Sequence, residues 1–161
     1  MKFLAVVLSA LITVAGPAAA ERPSLVEAER TAIEAAIAGT LTTDVPADRL
    51  RVRLRANERT LERMVARDAE LRTEIEGRLP KIDGLKRFLA ANPGAMRAPR
   101  DQVQLMRLSQ QNATTQQTLR TLAPTIERLT QAVAEDRARL LALSGGSAAL
   151  ERRRAALPRP R

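Results

Sequence analysis

The sequence predicts an all-α protein, in which a long antiparallel helical hairpin or coiled coil follows a short N-terminal helix and precedes a disordered basic C-terminal tail. Two arms of similar length repeat apolar residues every seven positions, which is typical of a coiled-coil seam. A turn rich in proline and glycine, Asn92-Pro93-Gly94 with Pro99 beyond it, separates the arms. Phe88 is the one aromatic residue after position 20, which suits a thin aliphatic seam better than a compact core.

Each arm carries two rows of seam positions. The rows of the first arm are Ala47, Leu54, Leu61, Asp68, Ile75, Ile82, Leu89 and Leu50, Asn57, Met64, Leu71, Arg78, Leu85. Those of the second arm are Leu105, Asn112, Leu119, Ile126, Val133, Leu140 and Leu108, Thr115, Leu122, Leu129, Asp136, Leu143. The polar members of these rows weaken the seam, although such residues also fix register and partner number.

The chain divides into four segments. Residues 1–20 have a positive start, an apolar stretch and an Ala-Ala-Ala end, which predicts a signal peptide, or alternatively an uncleaved membrane anchor. Residues 21–43 hold a short helix, Leu25 to Ala38, capped by Ser24 and ended by Gly39, and then a linker. Residues 44–146 form the hairpin, with its turn at 92–98, and residues 147–161 form a short helix and the basic tail.

Several local features refine the hairpin. The alternating stretch Arg49 to Arg55 resembles a strand, but no second alternating segment could pair with it, so we interpret it as helix. Pro80 is expected to kink or break the first arm, and Pro124 is expected to kink the second. Ser144-Gly145-Gly146 is expected to close the second arm.

A turn centred near Ala95 also predicts which residues face each other. Partner numbers should then sum to about 190, with slips of one heptad allowed. This register sets Arg78 opposite Asn112, and it sets Asp68 opposite Leu122, where an unpaired carboxylate would be costly. The middle of the seam should be the most buried part of the chain: Leu61, Met64, Leu71, Ile75, Leu119, Ile126 and Leu129.

The composition argues against an enzyme. The chain has no histidine and no cysteine, which removes imidazole acid–base chemistry, thiol nucleophiles and ordinary zinc sites. The carboxylate pairs Glu58/Glu62 and Glu70/Glu74 lie among arginines that would compete with a cation. We therefore predict no catalytic residues, no metal site and no cofactor.

Arginine is the residue that remains as a candidate for binding. The net charge is +9, and 24 of the 27 basic residues are arginine because only Lys2, Lys81 and Lys86 are lysine. A candidate anion- or partner-binding patch lies where the two ends of the hairpin should meet: Arg49, Arg51, Arg53, Arg55, Arg59, Arg63, Arg152, Arg153 and Arg154. The alternative is a solvated charged face. A weaker basic group, Arg87, Arg97, Arg100 and Arg107, marks the turn.

Together these features predict an exported, non-enzymatic binding or assembly factor of the cell envelope, chaperone- or adaptor-like and periplasmic or secreted. Its expected partners are a protein, a second copy joined through the seam, or an anionic lipid or envelope surface. Nucleic acid is disfavoured because no aromatic residues are available to stack on bases. The alternative is an inner-membrane-anchored structural protein, spanin- or stalk-like, with the hairpin facing outward.

In layout the chain resembles the periplasmic Skp/OmpH chaperones, which are small, basic, exported and built from helical hairpins that oligomerise. Those proteins carry a strand-rich body just after the signal, whereas residues 21–39 here predict a helix. The resemblance is one of layout, and no residue role carries over from it.

Overall fold

A computed structural model describes residues 24–42 and 44–158 of the chain and confirms that the fold is all-α. It has three helices, α1 (Leu25–Ile37), α2 (Ala47–Ala91) and α3 (Ala98–Ala156), and no strand occurs within the described ranges. The predicted signal or anchor at residues 1–20 and the last three residues of the predicted tail lie outside those ranges. No described helix is both long enough and apolar enough to cross a bilayer.

Helix α1 begins at the predicted cap. The Ser24 hydroxyl accepts a hydrogen bond from the Glu27 amide at 3.2 Å, and the Glu27 carboxylate accepts one from the Ser24 amide at 2.7 Å. This reciprocal capping box satisfies two amides that the first turn would otherwise leave unpaired. The helix ends before Gly39, whose φ of 73° suits a residue without a Cβ.

Helix α2 is a single element of 45 residues. It contains Arg49 to Arg55, so the helical interpretation of that alternating stretch is confirmed. It also runs through Pro80 to Ala91, so the break considered at Pro80 does not occur, and α3 likewise runs through Pro124. A proline removes one backbone hydrogen bond. A long helix tolerates that loss when it buries residues on both sides of the proline, as α2 buries Leu71 and Ile82.

Helix α3 spans 59 residues and turns sharply at Gly146. This glycine has φ 59° and ψ −156°, a backbone conformation open almost only to glycine. The predicted end of the second arm at Ser144-Gly145-Gly146 therefore coincides with a non-helical residue that joins two helices across a kink, and the second of these helices runs to Ala156. Beyond the turn, Leu150 and Leu157 are buried together with Ala32 and Ile33 of α1.

Both α1 and α2 pack on α3. Arg53 near the start of α2 contacts Asp136 late in α3, and Arg78 further along α2 contacts Thr115 earlier in α3. Contacts that run in opposite order along two helices are those expected of antiparallel neighbours. Because α1 is short, it covers α3 only near the end of the molecule that is remote from the 92–97 turn.

The deepest burial lies beside α1 and not in the middle of the seam. Ile33, Leu50, Val133 and Ala138 have no exposed surface. Of the seven residues predicted to be most buried, Leu61, Leu71 and Ile126 are buried, whereas Met64, Ile75, Leu119 and Leu129 are only half-buried. That prediction was wrong for these four, because two helices alone leave the flanks of their shared seam open to water.

Polar residues within the seam find partners other than the predicted ones. Arg72, one turn along α2, donates to the Asp68 carboxylate at 2.6 Å, so this buried carboxylate is paired. Arg78 donates to the Thr115 hydroxyl at 2.7 Å, and so its partner is not Asn112. The Asn112 Oδ1 atom is buried without a hydrogen bond from the described residues. The seam toward the turn is therefore thin and partly polar.

Candidate functional site

A buried carboxylate joins all three helices near α1. Glu29 of α1 is 3% exposed and accepts two hydrogen bonds from Arg153, at 2.7 Å and 3.1 Å. Arg137 of α3 lies 3.8 Å from the same carboxylate and donates to Glu58 of α2 at 2.7 Å. Bidentate arginine–carboxylate pairs fix orientation as well as charge. This network therefore ties the segment after Gly146 to α1, and α3 to α2.

A second buried carboxylate, Asp136, lies on α3 and is 1% exposed. Arg53 of α2 holds it with a two-pronged contact, in which the Arg53 Nε atom donates at 2.8 Å and the Nη2 atom also donates. Arg139 donates to the same carboxylate at 3.2 Å. The hydrogen bond to Asp136 raises the pKa of Arg53, and the hydrogen bond to Glu29 raises the pKa of Arg153 in the same way.

These networks reduce the number of arginines in the predicted patch that are free to bind a partner. Arg53 and Arg153 point into structural ion pairs, so neither is a free cation for a partner. Arg51 pairs with Asp48 at 3.0 Å, and Arg154 with Glu151 at 3.6 Å, in exposed contacts on their own helices. Such exposed pairs contribute little and are easily exchanged.

Five patch arginines remain outside these pairs. Arg63 donates to the Arg59 carbonyl oxygen and to the Thr60 hydroxyl. No carboxylate of the described residues pairs with the patch members Arg49, Arg55, Arg59, Arg63 and Arg152. A reduced patch is therefore available for binding, and its role stays a prediction.

A groove between α1 and α3 was not predicted from the sequence. It encloses about 300 Å³ and is lined by Glu27, Ala28, Thr31, Ala32, Ala35, Leu41, Glu127, Gln131 and Glu135. We call this surface the acidic groove. Its floor is built from alanines and a leucine, and its rim carries three glutamates. No lysine or arginine lines it, although basic residues outnumber acidic ones by 27 to 18 in the chain.

The glutamates of the acidic groove differ in how they are engaged. Glu27 belongs to the capping box, and its hydrogen bond with the Ser24 backbone lowers the pKa of its carboxyl group. Glu135 pairs with Arg139 at 3.1 Å. Glu127 is exposed and has no ion-pair partner within 24–42 and 44–158. The groove therefore keeps net negative charge over an apolar floor.

A surface of the opposite character lies at the turn between α2 and α3. Met96 in the turn is fully exposed, and Val103 and Met106 on the first turns of α3 are largely exposed. Residues 86–107 contain five basic side chains and one acidic one: Lys86, Arg87, Arg97, Arg100 and Arg107 against Asp101. We call this surface the basic tip.

Two contacts hold the backbone of the basic tip. The guanidinium of Arg97 lies 3.9 Å from the centre of the Phe88 ring and pairs with Asp101 at 3.3 Å. Arg100 and Arg107 have no ion-pair partner in the described part of the chain. The weaker basic group predicted at the turn is thus brought together with apolar side chains, a combination suited to recognising an acidic, partly apolar surface.

Part of this arrangement carried a signal in the sequence. The register that sums to about 190 sets Arg53 almost opposite Asp136, so that ion pair could have been found by matching charges along the arms. The acidic groove could not, because it depends on where α1 settles on α3. No group of three or more potential metal-ligating side chains occurs among the described residues. No family model, curated protein or solved structure matches this chain.

Proposed function

We propose that the protein is a non-enzymatic helical binding or assembly factor that works outside the cytoplasm, in the cell envelope. One observation carries this proposal: large apolar side chains are exposed on α2, on α3 and in the turn between them, while the buried charged side chains beside α1 form internal ion pairs. The exposed residues are Val52, Val65, Leu79, Met96, Val103, Met106 and Leu143. Apolar surface that the chain does not cover itself favours contacts with other molecules.

The proposed form of the binding element is an antiparallel coiled-coil hairpin made by α2 and α3. The heptad rows of both helices support it, and so does the opposite order of contacts between Arg53 and Asp136 and between Arg78 and Thr115. In this form α1 and the segment after Gly146 brace one end, and the basic tip lies at the other. A braced hairpin presents two long, half-apolar faces to a partner.

Export is the proposed location, as a periplasmic or secreted protein, and it rests on the sequence of residues 1–20. If that segment is retained, the protein is instead a structural hairpin anchored in the inner membrane. Mass spectrometry of the protein purified from cells separates the two. A chain that starts at Glu21 supports the exported factor, and a chain that retains residues 1–20 supports the anchored one.

Site-specific crosslinking in living cells tests the binding role. A photoreactive residue replaces Val103 or Met106 on the exposed apolar face, and in a control protein it replaces Thr73, which is exposed on α2. We expect a defined envelope protein, or a second copy, to be captured at the first two positions. The Thr73 control should capture neither, because none of its neighbours one turn away on α2, Ala69, Glu70, Glu76 and Gly77, is a large apolar side chain. Capture of the same mixture at all three positions would contradict a specific binding face.

A separate experiment, sedimentation with lipid vesicles, tests the reduced arginine patch, which consists of Arg49, Arg55, Arg59, Arg63 and Arg152. If the patch binds anionic lipid or an envelope surface, the protein should sediment with vesicles containing phosphatidylglycerol and not with neutral vesicles. Replacing Arg55 and Arg59 with glutamate should then abolish sedimentation. Replacing Arg51 and Arg154, which already have carboxylate neighbours, should weaken it less.

A further inference from the structure

The acidic groove and the basic tip are complementary in chemistry. The groove combines an alanine-rich floor with carboxylates, including the exposed, unpaired Glu127. The tip combines the fully exposed Met96 with cations that lack a carboxylate neighbour in the described chain, Arg100 and Arg107. An unbranched methionine adapts well to a shallow floor lined by small residues.

The spacing of the charges is also similar. Arg100 and Arg107 are seven residues apart on α3, which separates them by about 10 Å along the helix axis. Glu127 and Glu135 are eight residues apart on the same helix, or about 12 Å. Two guanidinium groups on one surface can therefore reach two carboxylates on the other.

The two surfaces cannot meet within one molecule. Helix α3 begins at Ala98 in the basic tip and continues without interruption to Glu127 in the acidic groove. At 1.5 Å per residue, roughly 45 Å of helix separates them. A contact between groove and tip must therefore join two chains.

We propose that the basic tip of one copy docks into the acidic groove of another, so that the protein associates head to tail. Met96 covers the alanine floor, and Arg100 and Arg107 pair with the rim carboxylates. Such an interface is heterologous, because each copy contributes a different surface. Each copy keeps a free groove at one end and a free tip at the other, so association continues beyond the dimer unless the rotation closes a ring.

This inference rests on the proposed assembly role only in requiring contacts between chains. It differs from association through the coiled-coil seam, in which the same faces of two copies meet. It also predicts strong dependence on ionic strength, since its specificity comes from exposed charges.

Sedimentation velocity of the purified protein with two variants tests the proposal. The tip variant carries Met96→Ser and Arg100→Gln, and the groove variant carries Glu127→Lys. All three positions are exposed, so circular dichroism should show unchanged helix content. Two control variants make the same charge changes at exposed positions of α2 outside the arginine patch, Lys81→Gln and Glu62→Lys.

We expect the unmodified protein and both controls to form dimers and larger species as concentration rises, and to dissociate in high salt. Each of the two test variants alone should weaken association by roughly tenfold or more, as expected for loss of an interface anchor. An equimolar mixture of the two should give a heterodimer and nothing larger. The intact groove of one variant and the intact tip of the other make one interface, and the remaining surfaces are disabled.

Three results would overturn the proposal: a monomer at every concentration, variants that associate like the unmodified protein, or a mixture that fails to form the heterodimer. If the variants associate normally, the assembly role survives and uses another surface. If crosslinking from Val103 and Met106 captures nothing while the heterodimer forms, the envelope role fails and the head-to-tail contact stands.

Discussion

The two ends of this molecule are stabilised in different ways. Beside α1, helices α1 and α3 bury Ile33 and Ala138, and all three helices contribute to the cluster around Val133. The carboxylates Glu29 and Asp136 are buried there with arginine partners. Toward the 92–97 turn, two helices share a seam that includes Arg78, Asn112 and Thr115. A helix of only 13 residues, packed on α3 together with the segment after Gly146, therefore forms a core that the two-helix end lacks.

The consequence is an uneven distribution of stability along α2 and α3. Local stability follows the number of buried apolar contacts and the protection of backbone hydrogen bonds. The end beside α1 should therefore unfold last, and the two-helix end should open more readily. Substitutions at matched positions of the two ends test whether the end beside α1 is the more stable one.

The largest expected effect is the loss of a core side chain beside α1. Ile33→Ala should reduce the free energy of unfolding by about 3–4 kcal/mol, because the surrounding Ala134, Ala138 and Leu150 cannot collapse into the space. Leu71→Ala, at a buried position of the two-helix part, should cost about 2 kcal/mol, since that site can relax or admit water. Urea unfolding measures both.

Val52→Ala is the control for this pair, because Val52 is mostly exposed, and it should be nearly neutral. Equal losses for Ile33→Ala and Leu71→Ala would show that the two ends are equally well packed. A larger loss for Leu71→Ala would reverse the contrast.

The next effect concerns the buried ion pair between α2 and α3. Arg53→Met retains the aliphatic stem but removes both hydrogen bonds to Asp136, which stays buried with Arg139 as its remaining cation. We expect a loss of about 2–3 kcal/mol, the range for a hydrogen bond to a buried charged group. Thermal unfolding followed by circular dichroism measures it.

Arg51→Met is the matched control, since its exposed pair with Asp48 should be worth less than about 1 kcal/mol. The double variant Arg53→Met with Asp136→Leu should recover part of the stability, because the buried carboxylate is then gone. No recovery would mean that Arg53 contributes through packing and not through charge.

Whether a feature of the fold could be predicted from the sequence depends on whether the residues that determine it are close together in the chain. The Ser24 cap and the long helices that end at Ala91 and begin at Ala98 depend on residues close together in the chain, and the structure has these features close to where they were predicted. The site of deepest burial depends on where α1 settles, which no seven-residue pattern encodes. The heptad rows treat α2 and α3 as an isolated pair, so they favour the middle of the seam over the end that α1 covers.

The same reasoning explains the arginine patch. Clustering along the sequence marked nine arginines, but clustering by itself does not tell which of them meets a carboxylate of another helix. Asp136 lies almost opposite Arg53 in the register that the heptads predict, whereas Glu29 binds Arg153 only once α1 packs on α3. The acidic groove was missed for the same reason, since Glu27 and Glu127 are a hundred residues apart in the chain.

Two glycine substitutions, one near each end of the molecule, test the same contrast. Gly146→Ala should destabilise by about 2 kcal/mol, because a Cβ is strained at φ 59° and ψ −156° and the segment carrying Leu150 and Arg153 would shift. Gly84→Ala, in α2 toward the turn, should stabilise by about 0.5–1 kcal/mol, since an added Cβ meets nothing within 4 Å and glycine weakens helices. Opposite signs in urea unfolding are expected, and equal signs would contradict the sharp turn at Gly146.

The smallest effect concerns the start of α1 and depends on pH. Ser24→Ala removes the hydroxyl that caps the Glu27 amide and should cost about 1 kcal/mol at pH 7.

The pKa of Glu27 is lowered in the folded protein, so its charged form stabilises the fold above the usual carboxyl range, and that contribution is lost as the pH falls through the folded pKa. Replacing Glu27 with Gln should therefore leave a variant whose stability falls less than that of the unmodified protein between about pH 5 and pH 3. Glu62→Gln is the control, because Glu62 is exposed on α2, and it should keep the full acid dependence. If Glu27→Gln and Glu62→Gln lose stability in parallel as the solution is acidified, the capping box does not stabilise α1, and the first turn of that helix does not contribute to the stability of the end of the molecule beside it.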